Sequence, residues 1–133
     1  MVIIYMQLTI NKITANLIDL AHFFLVFFPI FIFFIDFSPI VIKIMFLISA
    51  FISLSWIFFD DKCIITVASQ TLRHGKTLKK SFSETYLSWF YHFIMKIFNL
   101  PQTKKGFNQA INIHWMINLT IMWYYLFFFR CRC

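Results

Sequence analysis

Three polar side chains lie within an apolar stretch near the carboxyl end of the chain and are the strongest candidates for chemistry. The stretch is INIHWMINLTIMWYYLFFF, residues 111–129, and a helix would place His114, Asn118 and Tyr125 on one face of it. Polar groups in such a helix usually face protein or water rather than lipid. We expect them to make helix-to-helix hydrogen bonds or, alternatively, to line an ion or proton path through an oligomer, with His114 titrating near pH 6–7.

The three cysteines, Cys63, Cys131 and Cys133, do not form a recognisable framework. A metal site would need further ligands at ordinary spacing beside Cys63 and His74, and the sequence does not supply them. Cys63 also has no evident base to activate it as a nucleophile. We therefore predict no catalytic residues, no metal and no cofactor, so that the protein is not an enzyme. Cys131 and Cys133 could carry a lipid, or could have no role.

A cluster of bases follows in the middle of the chain. Arg73, Lys76, Lys79 and Lys80 fall within eight residues. Bases beside a cytoplasmic leaflet attract anionic lipid headgroups at about 1 kcal/mol each. Nucleic acid is the rival partner for such a cluster, but the chain has no stacking platform or groove-reading motif. We therefore predict contact with the lipid bilayer and its anionic headgroups, and no binding to nucleic acid.

The elements that must position these groups are three long apolar runs, at residues 17–35, 40–59 and 111–129. Each is long enough to cross a hydrocarbon core about 30 Å thick as a helix. The first two are joined by Asp36-Phe37-Ser38-Pro39, which indicates an antiparallel membrane hairpin. Apolar residues make up 61% of the chain and charged residues 13%, whereas soluble domains average about 25% charged. An AT-rich reading frame translated by chance would give a similar composition.

Residues 82–100 predict an amphipathic helix that lies in the membrane plane. Ser81 and Glu84 fit a capping box, and Pro101 closes the segment. The polar face comprises Glu84, Ser88, His92, Lys96 and Asn99, and the apolar face Tyr86, Trp89, Phe90, Phe93, Ile97 and Leu100. Threading this helix through the bilayer would give four spans, but a central Lys costs about 2.5–3.5 kcal/mol there. The sequence therefore favours three spans.

The distribution of charge predicts the orientation of the chain. The segment 60–109 is rich in Lys and Arg, whereas the hairpin turn carries Asp36. Bases that flank a span mark its cytoplasmic side. We expect the N-terminus and the 60–109 loop to be cytoplasmic and the turn at Asp36 to lie outside. Ahead of the first span, Ile10, Ile13, Leu17 and Leu20 recur at helical spacing and indicate an amphipathic lead-in.

A short motif after the second span carries a resemblance. Trp56 is followed by Cys63, Ile65 and Thr66 in the pattern W-x6-C-x-[IL]-T. The motif and the order of the elements resemble a family of small membrane proteins of large DNA viruses, algae and some bacteria. Ser55 stands where that family has His, and Ser69 where it has Glu. Because the family has no established activity, the resemblance implies a multi-pass topology rather than a reaction.

Together these features predict a single all-α membrane domain, residues 1–133. It would comprise a hairpin of two transmembrane helices, a cytoplasmic interfacial helix and a third transmembrane helix at the C-terminal end. The expected function is that of a non-enzymatic structural or accessory membrane component, assembling with itself or with other membrane proteins. One alternative is a small oligomeric ion channel of viroporin type, and a second is a chance reading frame without function.

Overall fold

The computed structural model describes residues 2–56, 58 and 63–129, and these residues form helices without any strand. The helices are α1 (Val2–Phe31), α2 (Pro39–Ser55), α3 (Ile64–His74), α4 (Phe82–Tyr86), α5 (Ser88–Ile97) and α6 (Lys104–Tyr124). A π-helical turn, Tyr125–Phe129, continues α6. The all-α prediction is therefore confirmed. Cys131 and Cys133, for which a lipid modification or no role is expected, lie outside the described residues.

The first apolar run belongs to a longer helix than its hydropathy indicates. Helix α1 has 30 residues and is therefore about 45 Å long. Its segment Tyr5–Phe31 is long and apolar enough to cross a membrane, and only a third of its most apolar window is buried. The predicted lead-in and the first span are thus one continuous helix, with Pro29 inside it. Because proline has no amide hydrogen, the Leu25 carbonyl lacks its usual helical donor.

The second run starts close to the predicted position and ends earlier. Helix α2 has 17 residues and begins with Pro39 at its first position after Ser38, whose backbone is extended. Proline suits this position because the first helical amides have no partner within the helix. The helix ends at Ser55, four residues before the predicted end of the span. At about 25 Å it is shorter than α1.

The loop predicted to contain one helix contains three shorter ones. Helix α3 was not predicted, and it ends at Gly75, whose φ of 69° is a left-handed conformation that favours glycine. The segment predicted as one interfacial helix is broken at the fully buried Leu87 into α4 and α5. The capping box is confirmed, because the Ser81 amide donates to Glu84 Oε2 (2.7 Å) and the Glu84 amide to Ser81 Oγ (3.2 Å).

Helix α6 also begins earlier than the predicted third span, at Lys104 rather than residue 111. Thr103 caps it by accepting a hydrogen bond from the Gly106 amide. The first two turns carry Lys, Gln and Asn, and for this reason hydropathy alone did not include them. Gly106 lies directly against the Pro101 carbonyl, and a Cβ atom there would overlap it. Glycine, which has no Cβ, is therefore required where the chain turns from α5 into α6.

Two apolar clusters hold these helices together. In the first, Val26, Ile52 and Trp115 join side chains from α3, α4 and α5. In the second, Phe28, Ile32, Ile42 and Met122 pack near the turn between α1 and α2. Trp115 meets Trp56 edge to face at 5.9 Å, whereas Met122 lies beside Ile42, so α6 runs antiparallel to α2. Helix α3 packs along the N-terminal half of α1, and α5 packs on the N-terminal half of α6.

The surface of the bundle is unusually apolar. The chain exposes 9342 Å², whereas a compact soluble protein of this length exposes about 7,400 Å². Large apolar side chains on the C-terminal half of α1 and the turn after it, on α2, and on α6 with its π-helical turn are more than a third exposed. We call these the apolar belt: Phe23, Phe24, Ile30, Phe33, Phe34, Ile35, Ile40, Val41, Ile44, Leu47, Ile48, Phe51, Leu54, Met116, Ile117, Trp123, Tyr124, Phe127 and Phe128.

Candidate functional site

The closest grouping of charged and polar side chains lies where α1, α3 and α4 meet. The Arg73 guanidinium contacts the Asp19 carboxylate at 2.6 Å, and Ser69 Oγ donates to the other oxygen of Asp19 at 2.6 Å. Arg73 also donates to Asn16 Oδ1 at 2.8 Å and to the Tyr86 hydroxyl at 3.0 Å. We call these five residues the polar junction.

The polar junction is partly shielded from solvent at its centre, whereas Asn16 and Tyr86 at its edge are exposed. The side chains of Arg73 and Asp19 are 24% and 16% exposed, and Ser69 is buried. The hydrogen bond to Tyr86 and the Asp19 carboxylate raise the pKa of Arg73, although partial burial acts in the opposite direction. An adjoining cavity of about 90 Å³, lined by polar residues such as Thr66, Gln70 and Thr85, has room for several waters. The geometry supplies a fixed cation and a paired carboxylate, but no nucleophile beside a free base.

His22 lies immediately beneath the polar junction, one turn along α1 from Asp19. It is 3% exposed, and its ring stacks on Phe82 with the centroids 4.2 Å apart. Its Nδ1 atom has no hydrogen-bond partner among the described residues. The stacking on Phe82 thus ties α4 to α1 just below the Asp19 carboxylate.

The structure places His114 and Asn118 inside the bundle. His114 Nδ1 shares a hydrogen bond of 3.0 Å with the Tyr91 hydroxyl, and burial raises the pKa of Tyr91. Asn118 Nδ2 donates to the Val26 carbonyl at 2.9 Å, three residues before Pro29 interrupts the hydrogen bonds of α1. Tyr125 begins the π-helical turn and packs half-buried against the second apolar cluster. The side chains of His114 and Asn118 thus make their hydrogen bonds within one chain.

The residues of the Trp56 motif come together at the start of α3. Cys63 is the residue before that helix and is 7% exposed, Ile65 packs on the first apolar cluster, and Thr66 is buried. Burial raises the pKa of the Cys63 thiol. The Ile65 and Thr66 amides and the Trp56 indole act in the opposite direction but have the smaller effect. A buried, protonated thiol is a poor nucleophile, and this motif therefore packs the end of α2 against α3.

The four bases predicted to contact lipid separate into two kinds. Arg73 is held within the polar junction. Lys76, Lys79 and Lys80 are exposed on the loop between α3 and α4. Gln70 fixes this loop, because its Oε1 accepts from the Leu78 amide (2.8 Å) and its Nε2 donates to the Lys80 carbonyl (2.7 Å). The three lysines thus remain available for anionic partners, whereas Arg73 has a structural role.

Sequence reasoning missed Asp19, Ser69 and Tyr86 as partners of Arg73. One signal was present, because Thr66, Ser69 and Arg73 recur at helical spacing and would share one face of a helix. The missing information was that α3 exists and packs on α1. Among residues 2–56, 58 and 63–129, no group of His, Cys, Asp and Glu could hold a metal ion.

No family model, curated protein or solved structure matches this chain. The resemblance around Trp56, Cys63, Ile65 and Thr66 therefore stays a prediction. The arguments for function that follow rest on the geometry of this chain alone.

Proposed function

We propose that the protein is a multi-pass integral membrane protein with a non-enzymatic, structural or accessory role. The apolar belt carries this proposal. Its side chains surround the part of the bundle formed by α1, α2 and α6, and such a surface is far larger than the apolar patches that soluble monomers expose. Lipid removes the cost of leaving these side chains outside the core.

The three spans of this proposal are the C-terminal part of α1 from about residue 17, helix α2, and α6 with its π-helical turn. The second is the weakest by length, since its 17 residues cover about 25 Å of a hydrocarbon core about 30 Å thick. A bilayer accommodates a short span by local thinning at a modest cost.

The interfacial role proposed for residues 82–100 falls mainly to α5. Its inner side, formed by Leu87, Tyr91 and Met95, is buried against the protein. Trp89, Phe93 and Ile97 remain 72%, 60% and 60% exposed and form a separate stripe. This stripe would enter the headgroup region while Lys96 and His92 stay in water. With Lys76, Lys79 and Lys80 beside it, this face suits the cytoplasmic leaflet.

The geometry favours a structural role over a channel. A pore built from several copies would need polar side chains on the outer face of α6. Of the predicted pore residues, however, His114 and Asn118 are buried and hydrogen-bonded inside the chain, and the exposed Asn112 lies near the beginning of the apolar run. The exposed Thr120 hydroxyl donates to the Met116 carbonyl of its own helix at 2.7 Å. We therefore expect no pH-dependent conductance in planar bilayers.

Membrane integration is tested by extraction of the expressed protein from vesicles. The protein should remain in the membrane pellet at alkaline pH in carbonate, float with liposomes and require detergent for solubility. A peripheral protein held by its lysines alone would be released by carbonate or by high salt. Release under either condition, or a monodisperse protein in plain buffer, would refute the proposal.

Orientation needs reporters other than Cys63, because that thiol is buried. Lys76→Cys and Asp36→Cys place thiols at exposed positions on the two opposite ends of the bundle. With Cys131 and Cys133 replaced by Ser, a membrane-impermeant maleimide should label Lys76→Cys only from the cytoplasmic side and Asp36→Cys only from the outer side. Labelling of both from one side would exclude an odd number of spans between them and overturn the proposed topology.

A further inference from the structure

Helix α1 carries a narrow apolar stripe that no element of the described chain covers. Six side chains recur along it at alternating spacings of four and three residues and are 42–66% exposed: Met6, Ile10, Ile13, Leu17, Leu20 and Phe24. We call this set the seam. A spacing of 3.5 residues is the repeat of a left-handed coiled coil, with Ile10, Leu17 and Phe24 at a positions and Met6, Ile13 and Leu20 at d positions.

The narrowness of the seam points to a protein partner rather than to lipid. Toward its N-terminal end the flanking positions are polar and exposed, with Gln7 and Thr14 on one side and Thr9 and Asn16 on the other, whereas Ala21 and Phe23 flank its C-terminal end. A helix surrounded by lipid is apolar on all its outer sides, whereas a strict a and d stripe is typical of a coiled-coil interface. Beyond Phe24 the next d position is Phe27, which already packs on Phe90 at 5.4 Å. The seam therefore ends at the point where α5 begins to cover this side of α1.

The other faces of α1 and the positions of its charged residues are compatible with a dimer. Helix α3 packs on the opposite face, where Ala15 and His22 are buried. The two charged residues of α1 lie away from the seam, since Lys12 is exposed elsewhere and Asp19 is paired with Arg73. A copy aligned in parallel would place Thr9 opposite Thr14 and Asn16 opposite Ala21, without repulsion between like charges.

We propose that a second copy of this chain occupies the seam, forming a parallel α1–α1 homodimer. The seam covers Met6 to Phe24, about 27 Å of helix. Burying six side chains on each copy removes about 1,200 Å² in total, which reaches the lower end of the range for specific interfaces. The inference deepens the proposed function by naming the partner with which this membrane component assembles.

Disulfide cross-linking in vesicles of phosphatidylcholine and phosphatidylglycerol tests the register. Cys131 and Cys133 are replaced by Ser, and the buried Cys63 is kept. Single cysteines are then introduced as Ile13→Cys and Leu17→Cys on the seam, and as Leu8→Cys and Lys12→Cys on other exposed faces of the same helix. Copper phenanthroline should give at least about fivefold more dimer for the seam variants. Equal dimer at all four positions, or most dimer at Leu8→Cys, would overturn the proposal.

A second measurement does not depend on cross-linking. Single-molecule photobleaching of labelled protein in dilute vesicles should show two steps for the unaltered chain. Leu17→Glu should reduce the two-step fraction to the level expected for random co-reconstitution, whereas the matched control Leu8→Glu should leave it unchanged. An unaltered chain with one step refutes the dimer. Carbonate resistance, measured on the same vesicles, reports on the proposed function separately, because a monomer that stays in the membrane fails only the dimer.

Discussion

The two halves of α1 use the same helix geometry against different surroundings. Toward its N-terminal end most polar side chains of α1 are exposed, and near the middle of the helix the partly buried Asp19 and the exposed Asn16 bind Arg73 of α3. In the C-terminal half, Phe23, Phe24 and Ile30 are exposed, and the contact with α6 includes a hydrogen bond from Asn118 to a backbone carbonyl. The contrast teaches that this protein places its charge pair inside and its apolar groups outside, the reverse of a soluble helix.

Different interactions therefore hold the two halves of α1 in place. The Arg73–Asp19 ion pair gives the polar junction its structural specificity, because few other pairs of side chains would satisfy this geometry. In the proposed membrane setting the C-terminal half would depend on close packing between apolar surfaces, because lipid offers little hydrophobic incentive for helices to associate. Substitutions in the two halves should therefore differ in size and in their response to polar replacement.

The largest effect is expected at the boundary between the halves, at Phe82. Phe82→Ala would remove a buried ring that stacks on His22 and should lower the free energy of unfolding in detergent by about 3 kcal/mol. The matched control is Trp89→Ala, an aromatic residue of the same segment that is 72% exposed. Its effect should stay within about 0.5 kcal/mol. Equal losses for the two variants would mean that Phe82 does not join α4 to α1.

At the polar junction, Arg73→Ala should lower the free energy of unfolding by about 2 kcal/mol, because it leaves the partly buried Asp19 carboxylate without its cation. The value is reduced from that of a fully buried pair because both side chains are partly exposed. Lys76→Ala, which removes an exposed base nearby, should change stability by less than about 0.5 kcal/mol. The double variant Asp19→Asn with Arg73→Met should lose less than the sum of its single changes. Additive losses would contradict the pairing.

Where α6 contacts the C-terminal half of α1, Asn118→Leu should lower the free energy of unfolding by about 1 kcal/mol, because it removes the donor to the Val26 carbonyl. The loss is modest because side-chain hydrogen bonds in membranes contribute little. Thr120→Val serves as the control because the Thr120 hydroxyl bonds only its own helix in the structure. Reversible unfolding in mixed micelles would measure both. A larger loss for Thr120→Val would reverse the assignment of inner and outer faces on α6.

The smallest effect concerns Cys63. Burial raises the pKa of its thiol, so the folded protein retains the proton above about pH 8.5, where an unfolded chain loses it. Stability from this group is therefore complete at lower pH and falls as the pH rises. Alkylation of Cys63 at pH 8.5 should be at least about tenfold slower than that of Lys76→Cys on its exposed loop. Similar rates would contradict the burial of Cys63.

The sequence predicted the elements with strong local signals. Hydropathy and capping chemistry predict the all-α class, the turn at Ser38 and Pro39 that precedes α2, and the capping box at Ser81. The structure confirms these three features. It did not predict α3, because ITVASQTLRH has polar residues on two sides and becomes a helix only against α1. Tertiary packing also placed the break at Leu87, which local propensity cannot indicate.

The candidate site was harder to predict because its partners are distant in sequence. Asp19 and Arg73 are separated by 54 positions, and Val26 and Asn118 by 92. Periodicity correctly placed His114 and Asn118 near each other on α6, but only the fold shows which helices they meet. For the seam, by contrast, the sequence already shows a periodic pattern in Ile10, Ile13, Leu17 and Leu20. The structure adds that these side chains are exposed, which is needed to interpret the pattern as an interface.

Spin labels along α2 and α1 provide the most direct test of the membrane embedding on which this account rests. Labels at Leu47 and Phe51, members of the apolar belt, should collide more often with oxygen than with a water-soluble nickel chelate in liposomes. A label at Lys12, beyond the predicted span, should show the opposite preference. Preferential collision with the chelate at Leu47 and Phe51 would show that water surrounds the belt and would contradict the account.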